Sequence, residues 1–242
     1  MTPSSSTNAR RFINAYNQID SGLRALYNQK RSMSFAELIR NSVNENHVVR
    51  KYEDDLIDFG RLRNAIVHKS NDDFIIAEPH IEVVEKIEKI ARLITTPPNA
   101  LITICKESVL TVEYNVSLAN VARLMAEYSY SNIPIYKDGT LIGIANGQKI
   151  FERIGKEVKA KKDVDDFMKN TLICEVLVTT SPFKQYEVVA ADATVEQVLS
   201  LFNHNAKLLA VLITKTGSMN EAPLGIITTT NVMEMNNILD NY

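Results

Sequence analysis

The second half of the chain contains two copies of one residue pattern, and this repeat constrains the fold more than any other feature. The capping and apolar residues of one helix-like segment recur 77 residues later in a second segment. The first segment carries Asn115, Leu118, Val121, Leu124 and Met125, and the second carries Asp192, Val195, Val198, Leu201 and Phe202. A register kept over the whole length of a helix predicts two copies of one structural unit.

The match between the copies continues into a hairpin-like segment. Ile133 and Ile135 correspond to Ala210 and Leu212 at the same spacing of 77 residues. The pair Gly143-Ile144 corresponds to Gly225-Ile226 at a spacing of 82 residues. The extra residues fall in the second hairpin turn, between residues 215 and 223, where an insertion is tolerated.

Each copy predicts a strand, a helix, a hairpin and a second helix. In copy one we expect strands over 101–105 and 110–112, and then a helix capped by Asn115 or Ser117. Asp138-Gly139 is a signal for a tight hairpin turn, and a helix over 147–154 follows it. Residues 155–166 are rich in lysine and predict a solvated connector to copy two, in which Thr194 and Gln197 form a capping box.

The first 95 residues follow a different period. Apolar residues recur at three- and four-residue steps over 9–29, after Ser34, over 48–68 and from Pro79 onward. Four amphipathic helices with short loops predict a small antiparallel bundle. The expected fold class is therefore α+β: a tail over 1–8, a four-helix bundle over 9–95, a Pro-containing linker over 96–100, and two β-α-β-β-α units at about 101–155 and 171–242.

Composition narrows the function classes. A length of 242 residues fits two domains, and a net charge of −2 gives no sign of binding to nucleic acid or membranes. The sequence has no apolar run of membrane-spanning length, no signal peptide pattern and no glycine-rich phosphate loop. Cys105 and Cys174 are far apart in apolar strand-like runs, so we expect buried free thiols and a cytoplasmic location. His47, His80 and His204 have no His, Cys or carboxylate residue at metal-ligand spacing, so we expect no metal site, and we expect no covalent cofactor.

Arg63-Asn64-Ala65-Ile66-Val67-His68, at the end of the third helical pattern, fits the Arg-polar-x-x-x-His motif of HEPN domains. Residues 9–95 resemble a HEPN-type helical domain on this motif and its position. The resemblance implies a metal-independent ribonuclease site across a dimer interface. In it His68 would be the general acid/base, Arg63 would bind phosphate and Asn64 would orient groups. Alternatively, Arg63 pairs with Asp54, Asp55 or Asp58, and the nearby carboxylates repel RNA.

The repeat resembles a tandem pair of CBS domains, the Bateman module, over residues 100–242. The motifs that support this resemblance are Ser131-Asn132-Ile133-Pro134-Ile135 and Leu141-Ile142-Gly143-Ile144 in copy one, and Leu224-Gly225-Ile226-Ile227-Thr228-Thr229-Thr230-Asn231 in copy two. The family implies clefts between the copies for AMP, ADP, ATP, S-adenosylmethionine or a cyclic dinucleotide. In these clefts a Ser or Thr meets phosphate, and an Asp three residues later binds the ribose hydroxyls.

The chain departs from this pattern in both copies. Asn146 replaces the hydroxyl residue and Lys149 replaces the Asp of copy one, whereas copy two keeps Thr228 and has Asn231 in place of the Asp. An amide accepts through one oxygen only, and an ammonium group accepts nothing. The resulting candidate ligand-binding residues are Asn132, Ile133, Pro134, Asn146, Lys149, Ile227, Thr228 and Asn231. Tyr128 and Tyr130 either stack on the base of a ligand or pack against neighbouring side chains.

Three functions follow from these two resemblances. The first is a regulatory sensor whose CBS pair binds an adenosyl ligand, signals to the helical domain and catalyses nothing. The second is a HEPN ribonuclease controlled by the CBS pair, with RNA as its substrate. The third is a dimerising or partner-binding protein with ligand-free clefts. All three functions predict a homodimer, because CBS pairs and HEPN-type domains, the two families that the chain resembles, both associate in pairs.

Overall fold

The computed structural model describes residues 7–28, 32–68, 78–177 and 184–242. The predicted tail over 1–8 lies outside the described residues, apart from Thr7 and Asn8 at the start of the first helix. The chain forms two compact units. The helical unit comprises Met1–Pro98, Thr194–Ser200 and Met235–Tyr242, and the sheet unit comprises Asn99–Ala193 and Leu201–Glu234.

Five helices precede residue 98 in the described part of the helical unit. They are α1 (Asn8–Leu26), α2 (Phe35–Ser42), α3 (His47–Lys51), α4 (Glu53–His68) and α5 (Ile81–Thr95). The predicted helix over 48–68 is divided at Tyr52, whose φ of −113° and ψ of 24° end α3. Phe12 and Phe59 meet edge to face, with ring centroids 5.7 Å apart, in the core that joins α1 to α4.

Residues of the second copy also belong to the helical unit. The buried carboxylate of Glu196 accepts hydrogen bonds from the His47 backbone N–H at 2.7 Å and from Ser200 Oγ at 2.9 Å. At the end of the chain, Lys51 forms an ion pair with Asp240, and Tyr242 Oη donates to the Thr96 carbonyl at 2.7 Å. Lys89 of helix α5 also donates to the Asp240 carbonyl. Helices α3 and α5 and the segment after α5 therefore hold the start of one copy-two helix and the last eight residues.

Both copies have the predicted order of elements, which confirms a mixed helix and sheet fold. Copy one comprises β1 (Val112–Glu113), α7 (Leu118–Tyr128), β2 (Asn132–Lys137), β3 (Thr140–Asn146) and α8 (Gly147–Lys159), after a short α6 (Ala100–Ile104). Helices α9 (Val164–Asn170) and α10 (Ile173–Val176) follow. Copy two comprises β4 (Tyr186–Ala190), α11 (Val195–His204), β5 (Ala210–Thr214), β6 (Gly225–Thr228) and α12 (Val232–Asn241).

The two sheets share one topology. In each, the first strand runs parallel to the second and the second antiparallel to the third. Ile135 is opposite Gly143 in copy one, whereas Ile213 is opposite Gly225 in copy two. By strand pairing, Ile135 therefore corresponds to Ile213, whereas the sequence alignment matched it to Leu212, one residue earlier. This difference lies next to a register shift after Ile135 in copy one.

Three local predictions for copy one and the connector differ from the structure. Residues 101–105 form helix α6 rather than a strand, because Asn99 Oδ1 accepts from the Ile102 N–H at 3.0 Å and starts a helical turn. The strand predicted over 110–112 overlaps the observed strand β1 (Val112–Glu113) only at Val112. Helix α8 continues past residue 154 to Lys159, and Asp163 caps α9, so most of the predicted connector is helical.

The hairpin turn of copy one is confirmed. Asp138 and Gly139 both have positive φ, at 51° and 77°, as the tight turn requires. The inserted hairpin turn of copy two packs onto this hairpin: Met219 O accepts from the Leu141 N–H at 2.8 Å, and Asn220 Oδ1 accepts from Thr140 Oγ1 at 3.0 Å. The two sheets also share a buried cluster of Tyr136, Leu141, Ile144, Ala210 and Leu212.

Candidate functional site

A cleft of about 320 Å³ lies in the sheet unit and is lined by both copies. One wall is the segment 104–110, the second runs from Ser129 to Pro134, and the third consists of Ile226, Thr228, Thr230 and Asn231. Four of the predicted ligand-binding residues line this cleft: Asn132, Pro134, Thr228 and Asn231. The antiparallel pairing of Ala210 with Thr228 ends β6 at the cleft, which places the Thr228 side chain there.

The copy-two wall is a closed hydrogen-bonded turn between β6 and α12. The Thr228 N–H donates to Asn231 Oδ1 at 3.0 Å, and the side-chain hydroxyls of Thr228 and Thr230 are 2.8 Å apart. Asn231 Nδ2 in turn donates to Glu234 Oε2 at 3.3 Å. The Asn231 side chain thus caps the turn through its oxygen and donates to Glu234 through its nitrogen. An ionised aspartate at this position could cap the turn but could not donate.

The copy-one wall presents an acidic and an aromatic group. Tyr130 Oη donates to Glu107 Oε2 at 3.0 Å, and this hydrogen bond raises the pKa of the Tyr130 phenol. The ring of Tyr128 stacks on that of Tyr130 with centroids 6.0 Å apart. Lys106 and Glu107 are both exposed at the cleft, so the copy-one side carries one charge of each sign.

Cys105 lies against the start of strand β6 at one side of the cleft. A Cβ atom added to Gly225 would lie 2.4 Å from the Cys105 Sγ, so the glycine is required for this close approach. The Sγ is 3.9 Å from the Ile226 carbonyl oxygen, and burial raises the pKa of the thiol. Cys105 is therefore a packing residue that is kept as a neutral thiol.

Asn146 and Lys149 lie at a separate hollow of about 20 Å³ beside α8 and α10. Asn146 caps α8 by accepting from the Lys149 N–H at 3.1 Å, and it donates to Asn132 Oδ1 at 2.8 Å. The Lys149 ammonium group pairs with Glu152 at 3.2 Å. This hollow is smaller than a nucleoside, and of these two residues only Asn146 contacts a residue of the cleft, Asn132.

Ile133 and Ile227 are fully buried in strands β2 and β6. Their side chains belong to the cores of the two copies, so the residues that flank them form the walls of the cleft. The sequence pattern placed these two isoleucines at the site because they are adjacent to Asn132 and Thr228. Alternation along a strand directs neighbouring side chains to opposite faces.

The candidate nuclease residues lie on α4 in the helical unit. The Arg63 guanidinium lies over the Tyr16 ring, with 5.9 Å from Cζ to the ring centroid, and its Nη1 is 3.4 Å from Asn64 Oδ1. Asn64 is exposed, and His68 is the last residue of α4, with its side chain outside the described part of the chain. Two of the three acidic partners considered for Arg63 pair elsewhere: Asp58 with Arg61 at 2.8 Å, and Asp55 with Lys86 at 2.6 Å.

Sequence reasoning missed Lys106 and Glu107 as cleft residues. They follow the segment that was assigned to a strand, and a strand there would direct them differently from the end of helix α6. The Asn99 cap was the available signal for that helix. Over the described ranges, no group of three or more His, Cys, Asp or Glu side chains could hold a metal ion, and no helix has the length and apolarity to cross a membrane.

Residues 101–156 match the family model of the CBS domain. A search of curated proteins gives no match. Among solved structures, the chain is similar to the CBS domain pair of protein MJ0100 in complex with 5′-methylthioadenosine and S-adenosyl-L-methionine, at 15% identity and a TM-score of 0.41 over 58% of this chain and 97% of that one.

Two further solved structures are similar to this chain. CBSX2 in complex with AMP is 14% identical with a TM-score of 0.43, over 59% of this chain and 98% of that one. The CBS domain of a bacterial CNNM/CorC family Mg²⁺ transporter in complex with ATP is 19% identical with a TM-score of 0.43, over 65% and 96% of the two chains.

Proposed function

We propose, from the CBS-domain match of residues 101–156, that the sheet unit is a sensor for an adenosyl ligand and has no catalytic role. The observation that carries the proposal is the cleft lined by Asn132 of one copy and Thr228 of the other. A ligand that contacts both copies can bind one arrangement of the pair better than another, which a sensor requires.

The chemistry of the cleft suits a nucleoside. Its volume of about 320 Å³ is at the lower end of the range for small-molecule sites. Pro134 and Ile226 offer apolar surface for a base, and the Thr228 and Thr230 hydroxyls can both donate and accept hydrogen bonds. The Asn132 amide adds a donor and an acceptor on the opposite wall.

Helix α12 is the proposed route by which the ligand acts on the helical unit. It begins directly after Asn231, with residues 232–234 in the sheet unit and residues 235–242 in the helical unit. Asp240, near its C-terminal end, is held by Lys51. A ligand that changes the capped turn at Thr228 would alter the start of a helix whose end is fixed on α3, provided that it binds the two arrangements with different affinity.

The test is a thermal-unfolding screen of the full chain with AMP, ADP, ATP, S-adenosylmethionine and cyclic dinucleotides, together with adenosine. A ligand at 100 times its dissociation constant adds about 2.7 kcal/mol to the stability of the native state. We expect a shift with at least one adenosyl compound, reduced in Thr228→Ala and unchanged in Thr140→Ala. The control threonine bonds to Asn220 in the hairpin and does not line the cleft.

The other two functions give different results in the same preparation. RNA cleavage that is lost in His68→Ala would select the HEPN-type ribonuclease, with Arg63 and Asn64 as its further residues. A stable homodimer with neither ligand binding nor cleavage would select the ligand-free dimerisation protein. We propose the sensor because the cleft joins four predicted ligand-binding residues, whereas Arg63 lies over Tyr16 within the helical unit.

A further inference from the structure

The charged groups around the cleft cancel one another. Among the described residues that line it, the ionised side chains are Lys106 and Glu107, one positive and one negative. Nucleoside diphosphates and triphosphates carry three to four negative charges, and sites that hold them use several cations or a metal ion. The cleft therefore lacks the excess positive charge that a polyphosphate needs among these residues.

The start of α12 does not supply the missing positive charge. A helix N-terminus favours an anion because of its exposed N–H groups and its dipole. Here Glu234 lies in the first turn of α12, with its Oε2 3.3 Å from Asn231 Nδ2, and Asn231 Oδ1 already accepts from the Thr228 N–H. The carboxylate of Glu234 places a negative charge next to the wall where a phosphate would approach Thr228.

Glu107 provides a group that a nucleoside without phosphate can use. A carboxylate can accept hydrogen bonds from several donors. Tyr130 Oη donates to Glu107 Oε2 at 3.0 Å, which orients the carboxylate and uses only part of its capacity to accept. A ribose diol offers two hydroxyl donors. Glu107 on the copy-one wall can therefore accept hydrogen bonds from the hydroxyl groups of a ribose in the cleft.

We infer that the cleft selects a nucleoside without a polyphosphate group, and that Glu107 is its specificity-determining residue. The inference rests on the proposed function and narrows its ligand class. It predicts that affinity falls as phosphate groups are added, and that removing the Glu107 charge weakens binding of the nucleoside while reducing the discrimination against phosphate.

The experiment is isothermal titration of the full chain with adenosine, AMP, ADP and ATP in buffer without divalent cations. We expect adenosine to bind at least tenfold more tightly than ATP, with AMP and ADP in between. In Glu107→Gln the ratio between adenosine and ATP is expected to shrink by threefold or more. Glu82→Gln is the matched control, since its carboxylate is 84% exposed on α5, and it should leave all four affinities unchanged.

Each remaining outcome overturns the inference in a recognisable way. If ATP binds as tightly as adenosine or more tightly, and Thr228→Ala weakens both, the proposed sensor stands and the nucleoside preference is wrong. If the preference for adenosine persists unchanged in Glu107→Gln, the role of Glu107 is wrong. If none of the four compounds binds but S-adenosylmethionine or a cyclic dinucleotide shifts the unfolding midpoint, the sensor stands and the inference is wrong. If no compound of the wider screen binds either, the proposed function fails together with the inference.

Discussion

The backbone N–H of Thr228 donates to the side-chain oxygen of Asn231 across a single turn, at 3.0 Å. This hydrogen bond links the last residue of β6 to the residue that precedes α12, so the cleft wall and the helix start are one structure. Any group that competes for the Thr228 hydroxyl therefore acts next to the cap of a helix.

Asn231→Asp is expected to destabilise the protein at neutral pH by about 1 kcal/mol, although aspartate caps helices as well as asparagine does. The change replaces the donor to Glu234 with a second carboxylate at about the same 3.3 Å separation. Like charges raise the pKa of one carboxyl in the folded state, so the loss of stability grows as pH rises above the ordinary carboxyl pKa. Unfolding midpoints at pH 4 and pH 7 measure it.

The matched variant for this prediction is Asn231→Asp with Glu234→Gln. It removes the second charge and restores a donor, so its midpoint at pH 7 is expected to return close to that of the unmodified chain. A double variant as unstable as Asn231→Asp alone would show that the two side chains are not coupled.

Gly225→Ala is expected to cost about 1–3 kcal/mol through overpacking, because the new Cβ would lie 2.4 Å from Cys105 Sγ and 3.0 Å from Leu101 Cδ1. Adding Cys105→Ala removes the nearest atom and is expected to recover part of the loss. Gly155→Ala is the control, since nothing lies within 4 Å of its Cβ position and alanine favours the helix. Equal effects at Gly225 and Gly155 would contradict the packing.

Asn146→Ala is expected to lower the unfolding midpoint by about 2–4 °C, because loss of a helix cap costs about 1 kcal/mol. The same substitution removes the 2.8 Å hydrogen bond to Asn132 and frees that cleft residue. Asn146→Ser keeps the cap but loses the bond to Asn132. If ligand affinity falls in both variants while only the alanine variant loses stability, Asn132 is positioned by Asn146; unchanged affinity in both would argue against this.

Tyr16 predicts a pH dependence for the helical unit. Burial, followed by the charge of Asp20, raises the pKa of its phenol to about 12. The unfolded chain loses this proton near pH 10 and the folded chain keeps it, so the stability contributed by Tyr16 is complete below pH 10 and declines as pH rises towards 12. The midpoint is expected to fall less steeply over this range in Tyr16→Phe than in the unmodified chain. Identical slopes for Tyr16→Phe and the unmodified chain between pH 10 and 12 would contradict the assignment.

The sequence predicts a structural element correctly where one signal dominates. The 77-residue repeat gave the order of elements in both copies, Asp138-Gly139 gave the hairpin turn, and Thr194 with Gln197 gave a capping box that forms at 3.0–3.1 Å. The prediction failed where a short apolar run fits both a strand and a helix. Residues 101–105 are aliphatic in either case, and the Asn99 cap decides for the helix.

The cleft could be predicted only in part, because it depends on tertiary contacts. Asn132, Pro134, Thr228 and Asn231 were found through motif positions, whereas Glu107 reaches the cleft through its hydrogen bond with Tyr130, more than twenty residues further along the chain. The Asn132–Asn146 bond depends on strand register between β2 and β3. No local pattern in the sequence encodes either relationship.

The most direct measurement is the affinity of adenosine for the full chain and for Thr228→Ala, by isothermal titration. Loss of one hydrogen bond from the ligand is expected to weaken binding roughly three- to tenfold. We expect saturable binding of adenosine with one site per chain, that loss of affinity in Thr228→Ala, and no change in Thr140→Ala. Absence of adenosine binding to the unmodified chain, or equal affinity in all three proteins, would contradict the assignment of the cleft as a nucleoside site.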